Sequence, residues 1–537
     1  MVRGKVIAQG ESREQAFRAA RASRAKEVVE IRFMPMMPVT SPLIESVRAV
    51  LPQGVAVYLV GGVVRDAVLG HANHDLDFTC AHGMKTARKV ADGLRAAYFP
   101  LDESFDTARV IIQNPNGSRE ILDFAGFRGD TLEEDLRGRD FCMNAIAMDL
   151  SDGSIIDPLG GVKDIREKRI RACSANALLH DPIRILRAIR QAAAFGFSID
   201  PDTRALLRSA VPGLEHISPE RMRDELFKML AGPRPDAAIR ALEMLGALPY
   251  ILPELTALKG VEQSAPHVHD VWNHSLAVLR HLDGIIGLLS PRYDEVKTNA
   301  DLMNGLLVMR LGRYRDQIGA HMSAKINMDR SARGLLFFAA LYHDVNKPQS
   351  RSVDDDGRIR FLGHDEIGAR SAVERGEELR LSNDELDRLH NIIRLHMRIH
   401  AQVSRMKAGE EPSARSIYRF FREAGDAGVD LILLSLADAR ATCDHTLTQD
   451  YWAVCLDVAR ILLEAWYERP AELVRPPVLI NGDDLIDEFK MKPGREIGNI
   501  LEAVRENQVA GKIASREEAL AFAQDWLATI SGSGLEL

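Results

Sequence analysis

Along residues 39–160 the hydrophobic pattern changes period several times. The run Val55-Ala56-Val57-Tyr58-Leu59-Val60 has the length and β-branched content of a buried strand, and Gly61-Gly62 breaks it where the backbone must turn. A helix is expected from about Val63 to Leu69, stopped by Gly70. The next strand alternates, so Leu76 and Phe78 point to one face while Asp75 and Asp77 share the other. Ala108-Arg109-Val110-Ile111-Ile112 and Ile121-Leu122-Asp123-Phe124 read as two further strands around a turn at Asn114-Pro115-Asn116-Gly117. From residue 161 the period becomes helical. Asp181-Pro182 is expected to cap a helix ended by Gly196, with Ile183, Leu186, Ile189 and Ala193 as the buried stripe and Asp181, Arg184 and Arg187 on another face. Ser218-Pro219-Glu220 opens another helix, and the helical period holds to Pro249.

These patterns place chemistry. Gly61 and Gly62 carry no side chain, so main-chain N–H groups at a helix start can approach an anion such as a triphosphate. Asp75 and Asp77 can hold divalent ions, and Mg²⁺ bound by carboxylates and substrate phosphates suits phosphoryl or nucleotidyl transfer. Asp123 is a candidate third carboxylate, and Arg65-Asp66 follows the glycine turn. An Asp acceptor beside an Arg donor on one helix face complements the Watson-Crick edges of C and A and mismatches G and U, which makes Asp181, Arg184 and Arg187 candidate base readers.

Composition narrows the class. A chain of 537 residues with 46% hydrophobic and 27% charged residues is expected to form several globular domains, and no run of about 18 apolar residues suggests a membrane span. The five cysteines lack Cys-X-X-Cys spacing, which fits a reducing, cytoplasmic setting. The net charge of −8 argues against nucleic acid as a partner for the whole surface, yet residues 161–235 carry 14 Lys and Arg against 9 Asp and Glu. That local excess suits phosphate contact. Residues 1–38, Arg-rich but also bearing Glu11, Glu14, Glu27 and Glu30, read as a disordered extension rather than a transit peptide.

The glycine turn followed by Asp75-Leu76-Asp77 resembles the head of the class II tRNA nucleotidyltransferase and bacterial poly(A) polymerase family, within the polymerase-β-like superfamily. Arg139-Asp140-Phe141-Cys142-Met143-Asn144-Ala145 resembles that family's second motif, with Gly138 and Cys142 departing from it. The resemblance implies ribose recognition by Arg139, Asp140 and Asn144, and base recognition by Asp181 and Arg184, with His180 where a Glu is usual. Farther on, His274, then His343-Asp344, then Asp438 resemble the metal ligands of the HD phosphohydrolase superfamily, and His364 and His396 fall where some members hold a second metal. Asn346 replaces a frequent Gly, and residues 479–498 resemble the tail of HD-containing relatives.

The implied architecture is an α/β polymerase-β-like nucleotidyltransferase head (39–160), an all-α RNA-binding neck (161–250), an HD helical body (251–470) and a helical, tRNA-binding tail (471–537). The implied activity is template-independent addition of CCA to tRNA 3′ ends from CTP and ATP. Mg²⁺ would serve the head and a divalent ion the HD domain, with no DNA and no membrane as partners. The alternatives are a poly(A) polymerase or a partial CC- or A-adding enzyme, since the connection from Asp123 to Arg139 is short and helps govern the switch from C to A in this family. A different class of alternative is an HD phosphohydrolase whose head only holds RNA.

Overall fold

The computed structural model describes residues 41–52, 54–71, 75–114, 118–293, 301–327 and 329–532. The expected N-terminal extension and the Pro115-Asn116-Gly117 turn lie outside them. The chain divides into two compact units, with the boundary between His216 and Ile217. That boundary falls inside the segment expected as a neck, because the helices up to residue 216 are bonded to the head.

The first unit is built on a seven-stranded sheet of order β3-β4-β5-β2-β1-β6-β7. Its strands are β1 (Val57–Val60), β2 (Leu76–Cys80), β3 (Ala97–Asp102), β4 (Thr107–Gln113), β5 (Arg119–Gly126), β6 (Ala147–Asp149) and β7 (Ile155–Ile156). β2 and β5 run parallel while the other neighbours are antiparallel. Leu76 and Phe78 are buried as the alternation requires, and Phe78 stacks on Phe124 with ring centroids 4.7 Å apart. The sheet face below them is covered by α3 (Gly83–Leu94), which follows α1 (Pro42–Val50) and α2 (Gly62–Leu69) in the chain.

The glycine signals act as read. Gly61 (φ 76°) turns the chain from β1 into α2, and Gly70 (φ 76°) ends that helix in the left-handed conformation. Beyond β5 come α4 (Leu132–Arg137), α5 (Gly161–Arg166), α6 (Ala175–His180), α7 (Arg184–Phe195) and α8 (Pro201–Ala210). Two expectations shift. Asp75 lies one residue before β2, which begins at Leu76. Asp181 is not the side-chain cap of α7: it closes α6, and α7 starts at Arg184 after a tight turn in which the Arg184 N–H donates to the Asp181 carbonyl at 3.1 Å. Pro182 and Ile183 intervene before the helix, so that Ile183 rather than Asp181 stands at its N-cap position.

The second unit is helical. Its working helices are α9 (Val271–Leu288), α10 (Ala332–Tyr342), α11 (His364–Glu378), α12 (Asn383–Leu395), α13 (Met397–Lys407) and α14 (Gly428–Cys443). The last three helices, starting at Gly482, Arg495 and Arg516, pack around their own core of Leu485, Ile500, Val504 and Ala519. No described helix is long and apolar enough to cross a membrane.

Candidate active site

The sheet register aligns three side chains across neighbouring strands: Asp77 on β2 lies beside Asp123 on β5, and Asp123 opposite Arg109 on β4. Arg109 holds Asp123 through two hydrogen bonds of 2.8 and 2.9 Å. Asp77 is half-buried, and its carboxyl is pushed up to about 6, first by burial and then by the charge of Asp123. Asp75 stands exposed at the mouth of the same edge and adds to that repulsion. Adjacent carboxylates that raise one another's affinity for a proton favour a cation for the same reason, and an all-oxygen donor set suits Mg²⁺. Asp75 and Asp77 offer carboxylate oxygens of the kind a divalent ion takes, while both oxygens of Asp123 are held by Arg109.

Gly61 borders this edge. A Cβ built there would lie 3.4 Å from the Asp77 carboxylate and 3.6 Å from the Arg139 guanidinium, so the turn places main chain against both groups. Gly62 is the first residue of α2. Arg65, one turn on, donates to Asp66 and to Asn144 Oδ1 at 2.8 Å each and lies over the Phe195 ring at 4.6 Å. Arg139 is fixed by two hydrogen bonds to Asp135, a buried residue of α4.

The second motif forms a buried polar network. Asp140 Oδ1 accepts from the Phe141 N–H (2.8 Å) and Asn144 Nδ2 (2.9 Å), while Oδ2 accepts twice from Arg187, at 2.9 and 2.7 Å. Asn144 Nδ2 also donates to Gln191 Oε1 at 3.0 Å. Burial alone would raise the Asp140 carboxyl, but Arg187 and the hydrogen bonds outweigh it and hold the group at about 2. Arg184 donates to the carbonyls of Arg139 (2.9 Å) and Gly138 (3.0 Å), with its charged end 3.6 Å from Asp181. The expected base-reading arginines are thus not free on a solvent face: α7 packs back onto the second motif, and its arginines close that contact. Sequence reasoning passed over Arg109, Asp135, Gln191 and Phe195. Only Asp135 left a local signal, its i, i+4 spacing from Arg139.

The second unit brings the histidines together. His274, His343 and Asp438 form one buried group, and Asp344, His364 and His396 another, each with candidate ligand atoms within 4.8 Å of one another. Asp344 joins them, with Oδ2 3.2 Å from His343 Nε2 and Oδ1 3.4 Å from His364 Nε2. In His343, His364 and His396, Nδ1 donates to the carbonyl three residues earlier, that of Ala340, Phe361 and Ile393. A carbonyl can only accept, so each ring turns an Nε2 lone pair inward. His274 Nδ1 is buried without a hydrogen bond, and His274 Nε2 lies 3.0 Å from an Asp438 carboxylate oxygen. Burial disfavours the charged form of His274 and holds His396 at about 3. Inward-facing imidazole nitrogens and two carboxylates within 4.8 Å in each group fit one or two transition-metal ions. His400 Nε2, 2.7 Å from Asp438, and Lys347 Nζ, 2.7 Å from Asp344, were missed in the sequence.

Models of known families match this arrangement. The Poly A polymerase head domain matches residues 57–171, the probable RNA and SrmB-binding site of polymerase A 196–259, the HD domain 312–441 and a tRNA nucleotidyltransferase domain 2 residues 474–523. An A-adding tRNA nucleotidyltransferase of Deinococcus radiodurans is 32% identical over 490 residues, covering 90% of this chain and 98% of its own. The chain belongs to the class II tRNA nucleotidyltransferases. A CC-adding member from Thermus thermophilus is 31% identical over 87% of this chain and 93% of its own. The fold is also that of a Thermotoga maritima CCA-adding enzyme complexed with tRNA, at TM-score 0.55 and 21% identity over 91% of this chain and 97% of that one. The first unit is α/β and the second largely helical. His274 precedes the matched HD segment, and only the packing of α9 brings it to the ligand group.

Proposed function

We propose that this enzyme adds C and A residues of the CCA terminus to tRNA 3′ ends, using CTP and ATP and no nucleic-acid template. What supports the reading most is the register that sets Asp77 beside Asp123 and against the Gly61 turn, where burial and neighbouring charge raise the Asp77 carboxyl. Mg²⁺ held by Asp75 and Asp77 would supply charge neutralisation at the triphosphate and lower the barrier to attack by the tRNA 3′-hydroxyl. The main chain at Gly61 and Gly62 takes the triphosphate, with Arg65 one turn farther along α2. Arg139, Asp140 and Asn144 order the ribose side of the pocket, and Asp181 with Arg184 selects the base, while Arg187 holds Asp140 in place. Residues 39–160 are the head, 161–250 the RNA-binding neck, 251–470 the HD body and 471–537 the tRNA-binding tail of a cytoplasmic enzyme. His274, His343, Asp344 and Asp438, with His364 and His396, would hold a divalent ion, which would supply activation of water against phosphate esters at RNA ends.

A second reading, addition of CC alone, is favoured by the connection between β5 and α4. It is only residues 127–131, and it is pinned by Phe127 N–H to Cys80 O (3.0 Å), Asp130 N–H to Glu134 (2.7 Å) and the Thr131 cap. Sequencing the 3′ ends of tRNAs that stop before, within and after CC, after incubation with all four nucleotides and Mg²⁺, separates the cases. Ordered growth to CCA supports the first reading and arrest at CC the second; an unbounded A tail or no growth overturns both. Asp75→Ala should abolish addition while any phosphatase activity survives; addition at the wild-type rate would refute the metal assignment.

A further inference from the structure

A cavity of about 440 Å³ opens at the end of the head sheet opposite the active site. Two aromatic rings line it, Tyr58 and Phe127, with centroids 6.2 Å apart and planes tilted by 38°. Its rim is cationic. Lys85 and Lys89, one turn apart on α3, and His82 just before that helix are all exposed and line the opening. Among the described residues none of these three side chains has an ion pair or hydrogen bond, whereas Arg88 between them is paired with Asp92 at 3.4 Å. Among the described residues no carboxylate lines the cavity. Asp149, whose charge reaches the Tyr58 phenol, is occupied by Ser151 at 2.7 and 2.6 Å.

The place is distinct from the reaction site. β1 pairs Val57 with Cys80 at the cavity end and Val60 with Asp77 at the active-site end. Four residues from Val57 to Gly61 span about 13 Å of extended chain.

We propose that this cavity binds a nucleoside phosphate, base against the Tyr58 and Phe127 rings and phosphate between Lys85 and Lys89. Aromatic faces take any base, and two unpaired ammonium groups take a phosphate; a bare anion would leave the rings unused, and an apolar ligand would leave the charges unmatched. The volume lies within the range of small-molecule sites. The same chemistry is offered by a free nucleotide and by one nucleotide of an RNA strand. Occupancy would bear on the C-to-A question as well, because Phe127 begins the connection to α4, and α4 carries the Asp135 that fixes Arg139.

The test is photo-crosslinking of the full-length protein with 8-azido-AMP and, separately, with tRNA carrying 4-thiouridine, each crosslinked residue being identified by fragmentation. Labelling at Tyr58, Phe127 or the α3 rim is expected with at least one probe. It should fall at least about tenfold in the Lys85→Gln/Lys89→Gln double variant, while nucleotide addition at saturating tRNA and labelling around the second motif stay at wild-type levels. Labelling by the nucleotide identifies a free ligand, and labelling by the tRNA alone identifies an RNA contact. No label in the cavity from either probe, or label undiminished in the double variant, overturns the proposal.

Discussion

Gly61 shows how much one residue can be required to do. Its φ of 76° is open to glycine and strained for other residues, and the space beside it is the boundary with Asp77 and Arg139. Gly61→Ala should cost about 1–3 kcal/mol of local strain and lower nucleotide addition by tenfold or more with little change in thermal stability outside the head, as read by primer extension and calorimetry. Asp140 bears on pH. Its folded carboxyl is held at about 2, below the ordinary value near 3.9, so it contributes stability that is full above about pH 4 and is lost as pH falls towards 2. The contribution is on the order of 2 kcal/mol. Asp140→Asn should remove that part of the acid dependence, so urea midpoints of variant and wild type should converge between pH 4 and pH 2; a gap that stays constant with pH would contradict the charge pairing with Arg187.

Among the elements, α4 has six residues and a large structural duty. Asp135 is almost fully buried, accepts both hydrogen bonds from Arg139, and also accepts from the Arg128 N–H at 3.3 Å. Removing the acceptor leaves a half-buried guanidinium without its partner. Asp135→Ala is expected to lower kcat/KM for CTP by about 10-fold or more, through nucleotide binding, while tRNA affinity by filter binding stays unchanged. Helix α7 teaches the same lesson from the other side. Its buried stripe of Ile183, Leu186 and Ile189 follows the helical period, but Arg184 and Arg187, which the period alone puts towards solvent, are drawn onto the carbonyls of Gly138 and Arg139 and the carboxylate of Asp140.

At the scale of the whole molecule, the carboxylate edge of the head and the histidine groups lie in two separately compact units. His343→Gln should therefore reduce the metal retained by the protein, measured by mass spectrometry after desalting, and leave nucleotide addition within about twofold of wild type. A loss of addition as large as the loss of metal would mean that the units are not chemically independent.

By itself the sequence determined whatever depends on neighbours along the chain. The glycine turn, the alternation that puts Asp77 opposite Leu76 and Phe78, the helix stop at Gly196 and the order of His274, His343-Asp344 and Asp438 all follow from local geometry and spacing. Only the tertiary structure decided which of these groups meet. Strand register set Asp123 beside Asp77 and gave it Arg109, helix packing turned Arg187 from a candidate base reader into the partner of Asp140, and the HD bundle made Asp344 common to two ligand groups. Register and packing join residues 14 to 164 positions apart, and a one-residue shift in either would pair different side chains, so no local pattern can encode them.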